Sequence, residues 1–263
     1  MNYETIIWEQ SGAVGRLTLN RPDSLNAWTE QLGTELRHVL EGDAADDSVR
    51  AVLVTGAGRA FSSGADLRAG MRQADDGMPD VRHELHEIYH PAIATVRRLA
   101  KPVVAAINGP AVGIGLSLAL ACDLVMAAES AFVSLAFANI GLMPDGGTTA
   151  FVPAAVGKAR AFEMALLAER VPAPQALEWG LVNWVYADDR LMAEADALVE
   201  RLAAGPTRSY AGSKEALNRF VYGDLDAQLA VEAELQHALA RTSDFIAGAS
   251  AFVQKSTPSF TGS

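Results

Sequence analysis

One stretch restricts the folds open to this 263-residue chain more than any other: residues 108–124, NGPAVGIGLSLALACDL. The segment before it, residues 102–107 (PVVAAI), is an apolar run of strand length. A turn, Asn108-Gly109-Pro110, then leads to the glycine pair Gly113 and Gly115. Small and apolar residues continue to Cys122, and Asp123 opens another apolar segment. The pattern reads as strand, glycine-rich turn and a buried helix beginning near Gly113. A helix N-terminus offers free backbone N–H groups and a partial positive charge. Glycines let another molecule approach that backbone closely. Such a terminus suits a phosphate, or a negative charge that develops on oxygen during a reaction.

The flanking chain predicts the setting for this unit. Residues 3–8 and 14–19 read as strands around the turn Gln10-Ser11-Gly12. Thr29 is a plausible N-cap for a helix to about Leu40, with Leu32, Leu36, Val39 and Leu40 on one face. Residues 49–55 (VRAVLVT) show little alternation, as expected for a strand buried on both faces. They run into a second glycine-rich loop, GAGRAFSSGADL (residues 56–67). Residues 71–80 read as a polar, mobile loop, and 81–100 as a helix interrupted at Pro91.

Short strands are expected at 124–127 and 131–137, then a loop at 140–149 containing Pro144-Asp145-Gly146-Gly147. Helices follow at 149–156, 159–167 and 173–179, and a strand at 181–186. From residue 191 the pattern is helical only: 191–204, 206–220, 226–240 and 243–255. Strands and helices alternate to about residue 186, so the fold class is α/β with a helical C-terminal part.

The formal net charge of -11 disfavours a nucleic-acid partner. The single cysteine, Cys122, excludes an intramolecular disulfide and sits where a buried, inert thiol is expected. The apolar run 111–122 is too short to span a bilayer. The N-terminus, MNYETIIWEQ, lacks the features of a signal peptide. The expectation is an intracellular, cytoplasmic protein with no membrane association.

Three motifs suggest other chemistry, and each is outweighed. His86-Glu87-Ile88-Tyr89-His90 matches the zinc-protease pattern H-E-x-x-H. Pro91 biases His90 away from helical geometry, no third ligand is evident, and the surrounding charges fit a solvated helix, so no metal site is expected. Gly113-Ile114-Gly115 is only half of a dinucleotide fingerprint, with Leu118 at the third glycine position. Ser117 lacks the G-x-S-x-G context of a nucleophile and reads as a core-facing helix serine.

Two glycine-rich loops that each follow a buried strand, at Gly64-Ala65-Asp66 and Gly113-Ile114-Gly115, have a joint meaning. Each alone is a helix-start turn. Together they can place two backbone N–H groups around one oxygen, which is an oxyanion hole.

Four ordered segments make this reading specific: LTLNRPDSLNA (17–27), VLVTGAGRAFSSGADL (52–67), KPVVAAINGPAVGIGLSLALACDLVMA (101–127) and IGLMPDGGTTAFVPAAVG (140–157). With them the chain resembles the enoyl-CoA hydratase/isomerase (crotonase) family along nearly its whole length. The resemblance implies a spiral core of repeated ββα units over residues 1–200. It implies a helical C-terminal region, 201–263, that builds trimers, often paired into hexamers. It also implies an acyl-CoA thioester substrate, coenzyme A being part of that substrate and no other cofactor being required. The family's oxyanion hole falls on the N–H groups of Ala65 and Ile114. Leu25, Ala27, Ser63, Gly64, Asp66 and Leu67 would line the CoA path. Gly113 and Leu142 would lie beside the acyl group, with Phe252, Lys255 and Phe260 contributing from the C-terminus. Asp66 is expected mainly to support its loop.

The carboxylates select the reaction. The resembling hydratases use two glutamates, and their positions align here with Ser117 and Ala136, neither of which is a carboxylate. The resembling isomerases carry an acid in the P-[D/E]-G context that Asp145 occupies. So do ring-epoxide isomerases of phenylacetate breakdown. One base can take a proton from one carbon of the bound thioester and return it to another, and burial in an apolar pocket strengthens that base. The alternative role for Asp145 is a cap for the following helix. Glu84, Glu87, Asp75 and Asp76 lie in the segment expected over the acyl pocket, and nothing in the sequence selects among them. The expectation is a thioester isomerase based on Asp145. The alternatives are a hydratase with atypical acid–base residues and a catalytically silent CoA-ester-binding protein.

Overall fold

The computed structural model describes residues 3–263; Met1 and Asn2, the start of the N-terminal reading, lie outside the described residues. The chain opens with a hairpin, β1 (Ile6–Ser11) and β2 (Val14–Leu19), followed by helix α1 (Glu30–Glu41). The Thr29 hydroxyl accepts the Leu32 N–H, so the predicted N-cap is present. β3 (Ala51–Gly56) and β4 (Val103–Ile107) are buried along their whole lengths. That burial is why their sequences show no alternation.

Three successive turns of chain then follow one plan. Each crosses a large sheet, touches a small second sheet and ends in a helix. β3 leads through a bridge at Ser62 to the helical segment 81–98. β4 leads through β5 (Ala111–Val112) to α4 (Ile114–Ala121). β6 (Leu124–Ala128) leads through β7 (Phe132–Ser134) to the long helix α5 (Thr148–Leu167). The large sheet is completed by β9 (Trp184–Tyr186), in the order β1-β2-β3-β4-β6-β9. All its pairs are parallel except β1–β2. The small sheet has the order β5-β7-β8, with β8 at Val171–Pro172. The spiral of ββα units expected from the sequence is therefore present.

Two segments differ from the sequence reading. Pro91 does not interrupt its helix. α2 (Val81–His83), a π-helical turn (Glu84–Tyr89) and α3 (His90–Arg98) run on continuously, with His90 in right-handed helical geometry (φ -63°, ψ -42°). The π turn supplies the slack: its i→i+5 pairing widens the helix just before the proline ring, which then sits in the first turn of α3, where no N–H is needed. In the segment 131–137 the strand covers only Phe132–Ser134, because Ala136 takes a left-handed conformation (φ 60°) and breaks the ladder. The break predicted between residues 156 and 159 is real. Gly157 has φ 76° and ψ 171° between the two halves of α5.

After α6 (Ala173–Trp179), helix α7 (Leu191–Ala204) packs on the large sheet. α8 (Thr207–Tyr222), α9 (Leu225–Leu239) and α10 (Ser243–Gln254) follow. A buried polar cluster pins α8 to the base of α4. Lys214 Nζ lies 2.9 Å from Asp123 Oδ2 and 2.9 Å from the Val96 carbonyl. Arg97 donates to the Ala121 carbonyl at 2.8 Å, placing a cation at the negative end of α4. The C-terminal end of α4 is thus fixed by charge, and its N-terminus faces a cavity. Cys122 follows α4, buried, with its thiol donating to the Leu118 carbonyl and its pKa pushed up to about 12 by burial. Among the described residues no helix is long and apolar enough to cross a membrane.

Candidate active site

The two glycine-rich loops meet. A Cβ added to Gly64 would stand 3.1 Å from the Val112 carbonyl oxygen, and one on Gly113 would stand 3.7 Å from the Gly64 Cα. Both glycines have positive φ, 94° and 54°, which lets the two backbones approach without side-chain interference. Asparagine side chains stitch the surrounding turns. Asn26 Nδ2 donates to the carbonyls of Ala57 and Ala60, and Asn108 Nδ2 to those of Gly56 and Gly58.

Each loop presents one backbone donor to the cavity between them. Ala65 bridges Trp28 in parallel fashion: Trp28 N–H donates to the Gly64 carbonyl, and Asp66 N–H to the Trp28 carbonyl, each at 2.8 Å. In such a bridge the N–H of Ala65 itself points to the opposite side. Ile114 is the first residue of α4, where an N–H has no partner within the helix. Neither N–H donates to a protein acceptor among the described residues. Both residues line one cavity of about 180 Å³. It is walled largely by apolar side chains, among them Leu85, Tyr89, Phe137, Leu142 and Phe252.

Asp145 reaches the same cavity from the loop before α5. Gly146, beside it, lies flush on α4 with φ 62°; a Cβ there would stand 2.6 Å from Ser117 Oγ and 2.5 Å from the Ile114 side chain. Ser117 Oγ donates to the Asp145 carbonyl at 3.1 Å. The residue aligned with a hydratase glutamate therefore helps to hold the loop that carries Asp145. Ala136, aligned with the other glutamate, also lines the cavity.

The Asp145 carboxyl is buried, and Gln236 Nε2 donates to Oδ2 at 2.7 Å. Among the described residues, Oδ1 has no hydrogen-bond partner. Burial pushes the carboxyl up to about 8; Glu232 and Glu84 add to this, while the Gln236 bond opposes it. The capping role is filled by another residue. Glu232 of α9, wholly buried, accepts the N–H groups of Gly147 at 2.8 Å and Thr149 at 3.2 Å. Asp145 contributes only its backbone carbonyl, which accepts from Thr148. The Asp145 side chain is thus left free of any helix-capping contact.

Of the other expected site residues, Ser63, Gly64, Leu67, Gly113, Leu142 and Phe252 line the cavity. Leu25, Ala27, Asp66 and Lys255 do not. The Leu25 carbonyl accepts the Ser63 N–H, so residues 25–28 form the outer support of the Gly64 loop. Ala27 is buried in that support. Asp66 pairs with Arg21 at 3.0 Å and accepts the N–H groups of Arg68 and Ala69. Lys255 ends α10 in a left-handed conformation and is exposed, as is Phe260.

Of the acids left undecided, Glu84 lines the cavity, accepting the Arg72 N–H at 3.3 Å, and burial raises its pKa. Glu87 is exposed. The H-E-x-x-H histidines part company: His86 lies at the surface, 4.0 Å from Glu234, and His90 is buried with its Nε2 3.6 Å from Glu232. Burial holds the His90 imidazole down to about 3.

Sequence reasoning missed Gln236 and Glu232. They stand 91 and 87 residues beyond Asp145 in a segment read only as helical. The usable signal was the four-residue spacing of Gln228, Glu232 and Gln236 along α9.

The residues so placed can hold an oxyanion beside the buried Asp145 carboxyl, with Glu84 on the same cavity. The sequence profile of the family described as Enoyl-CoA hydratase/isomerase matches residues 9–263. The chain is 39% identical over 260 residues to the 1,2-epoxyphenylacetyl-CoA isomerase of Escherichia coli (strain K12), covering 98% of this chain and 99% of that protein. It is 41% identical over 262 residues to a probable enoyl-CoA hydratase of Rhodobacter capsulatus, covering 100% of each. Among solved structures, an enoyl-CoA hydratase from Mycobacterium avium subsp. paratuberculosis K-10 matches with a TM-score of 0.89 at 43% identity, covering 99% of this chain and 100% of that chain. With its sequence, its fold and two opposed backbone donors in agreement, the chain belongs to the enoyl-CoA hydratase/isomerase family of crotonase-fold enzymes, which act on acyl-CoA thioesters.

Proposed function

We propose that the protein is an acyl-CoA isomerase in which Asp145 is the only proton shuttle. The observation that carries this reading is the buried Asp145 carboxyl, with one unpartnered oxygen, on the same cavity as the Ala65 and Ile114 N–H groups. In a 3-enoyl-CoA the C2–H bond breaks and its proton passes to Asp145 Oδ1. The electron pair moves into the thioester, whose oxygen takes the charge against the two N–H groups. The enolate then collapses, C4 takes the proton from Asp145, and the double bond lies between C2 and C3. No other cofactor enters this cycle. A ring epoxide of phenylacetyl-CoA is the second substrate class, supported by the name of the Escherichia coli relative.

Hydration is the second reading, favoured by one observation: Glu84 supplies another carboxylate to the cavity. A panel of 3-enoyl, 2-enoyl and ring-epoxide CoA esters separates the two. Isomerisation is expected to survive Glu84→Gln within a few-fold, and water addition to crotonyl-CoA to be weak. Rapid crotonyl-CoA hydration that Glu84→Gln abolishes would replace isomerase with hydratase. Binding without turnover on every ester would leave a silent CoA-ester-binding protein.

We also propose a homotrimer, alone or paired into a hexamer. Phe162 and Leu166 of α5 and Leu217 and Phe220 of α8 are exposed, Phe220 by 89%. Apolar exposure on that scale marks an association surface. Light scattering is expected to give three or six times the chain mass of 27.8 kDa. A monomeric mass would sink the proposal.

A further inference from the structure

The loop that carries Asp145 is held by a helix far away in sequence. Gln228, Glu232 and Gln236 lie at successive four-residue steps on α9 and so share one face. Gln228 donates to Thr149 Oγ1 at 2.8 Å. Glu232 takes the N–H groups of Gly147 and Thr149. Gln236 takes the other end of the loop: its Oε1 accepts the Met143 N–H at 3.0 Å, and its Nε2 donates to the Met143 carbonyl at 2.8 Å. The stripe thus grips the loop on both sides of Asp145.

The Met143 contacts also fix which way the Gln236 amide points. Oxygen must face the Met143 N–H, so nitrogen must face the Met143 carbonyl and Asp145. Gln236 is 1% exposed, which leaves the amide no solvent partner. Its second Nε2 hydrogen therefore goes to Asp145 Oδ2, and Oδ1 is left as the unpartnered oxygen.

We propose that Gln236 is a positioning residue that chooses the working oxygen of Asp145: by occupying Oδ2 it commits Oδ1 to proton transfer. This rests on Asp145 being the base. A hydrogen bond to a carboxylate favours its charged form, so the same contact keeps Asp145 ionisable at a lower pH than burial alone would allow. Other groups acting on Asp145 are Glu232 of α9 and Glu84 and Tyr89 of the π turn, with His90 of α3 behind Glu232. All four stay unchanged in the test.

The test compares wild type, Gln236→Met and Gln236→Glu in steady-state isomerisation across pH, with melting temperatures as folding controls. Methionine keeps the length and removes the donor. Glutamate keeps an acceptor for Met143 and sets a like charge against Asp145. Both are expected to lower kcat about ten-fold with KM nearly unchanged, and to move the rising limb of the pH profile up by about one pH unit, glutamate further than methionine. A limb and kcat that stay in place while only stability or KM changes would reduce Gln236 to a loop anchor and overturn the proposal. Asp145→Asn separates the two levels. Loss of turnover there, with unmoved Gln236 variants, defeats only the positioning role. Retained turnover there defeats the base itself.

Discussion

Asparagine at position 145 is expected to slow isomerisation by about 10²–10⁴-fold, the range that a positioned acid–base group contributes. The amide has the shape of the carboxyl and still accepts the Gln236 N–H through its own oxygen. Neither oxyanion donor depends on the Asp145 side chain: the Ala65 N–H is oriented by the bridge to Trp28, and the Ile114 N–H by the start of α4. The variant should therefore bind a non-reactive CoA ester about as well as wild type and fail only at proton transfer. Single-turnover kinetics with a binding isotherm would check both halves. A variant that turns over near the wild-type rate would remove Asp145 from the mechanism. One that loses binding as well would show that the side chain shapes the site rather than acting in it.

The same substitution should make the protein more stable, and increasingly so as the pH rises. The Asp145 carboxyl is raised from its ordinary 3.8 to about 8 because burial penalises its charged form. Between those values the folded state binds a proton that the unfolded state has lost, so stability falls as the pH climbs through that window. Asparagine cannot ionise and escapes this loss. The difference in melting temperature between variant and wild type should be least favourable to the variant near pH 4, shift in its favour through neutrality and level off above pH 8. The full effect is on the order of 2–4 kcal/mol, after allowing for the unpaired amide N–H that asparagine leaves. For a chain of this size each kcal/mol moves the melting temperature by roughly 2–4 °C. His90, held down to about 3, drives wild-type stability the opposite way below pH 6.5. That contribution is common to both proteins and drops out of the difference. A variant less stable than wild type at pH 9 would contradict the buried, costly carboxylate. A dead enzyme that melts later is what a functional compromise at one residue looks like.

Much of this architecture was legible beforehand because the relevant signals are local. Largely apolar runs without alternation, such as residues 49–55 and 102–107, fit strands in a sheet covered on both faces. Positive-φ turns favour glycine, so Gly64 and Gly113 advertise the two loops in any reading of the chain. Pro91 misled for the complementary reason. The restriction it puts on His90 is local, but the π turn that absorbs it depends on the packing of Leu85, Ile88 and Tyr89 into the core.

Asp145 shows where a sequence alone stops. Its P-D-G context and the absence of acids at Ser117 and Ala136 were enough to nominate it, and equally enough to leave a helix cap as the rival role. Glu232 takes the N–H groups that a capping aspartate would have used, which removes the capping role from the Asp145 side chain. Gln236 then fixed which oxygen stays free. The four-residue spacing puts both on one face of the helix but does not say whether that face is solvated or packed. The sequence by itself determined the strand–turn–helix units and nominated the two backbone donors and the acid, since dihedral preference and apolar patterning act over a few residues. Only the tertiary structure decided that α9 closes the site, because burial is set by what packs on a side chain, and its partners here lie about ninety residues away.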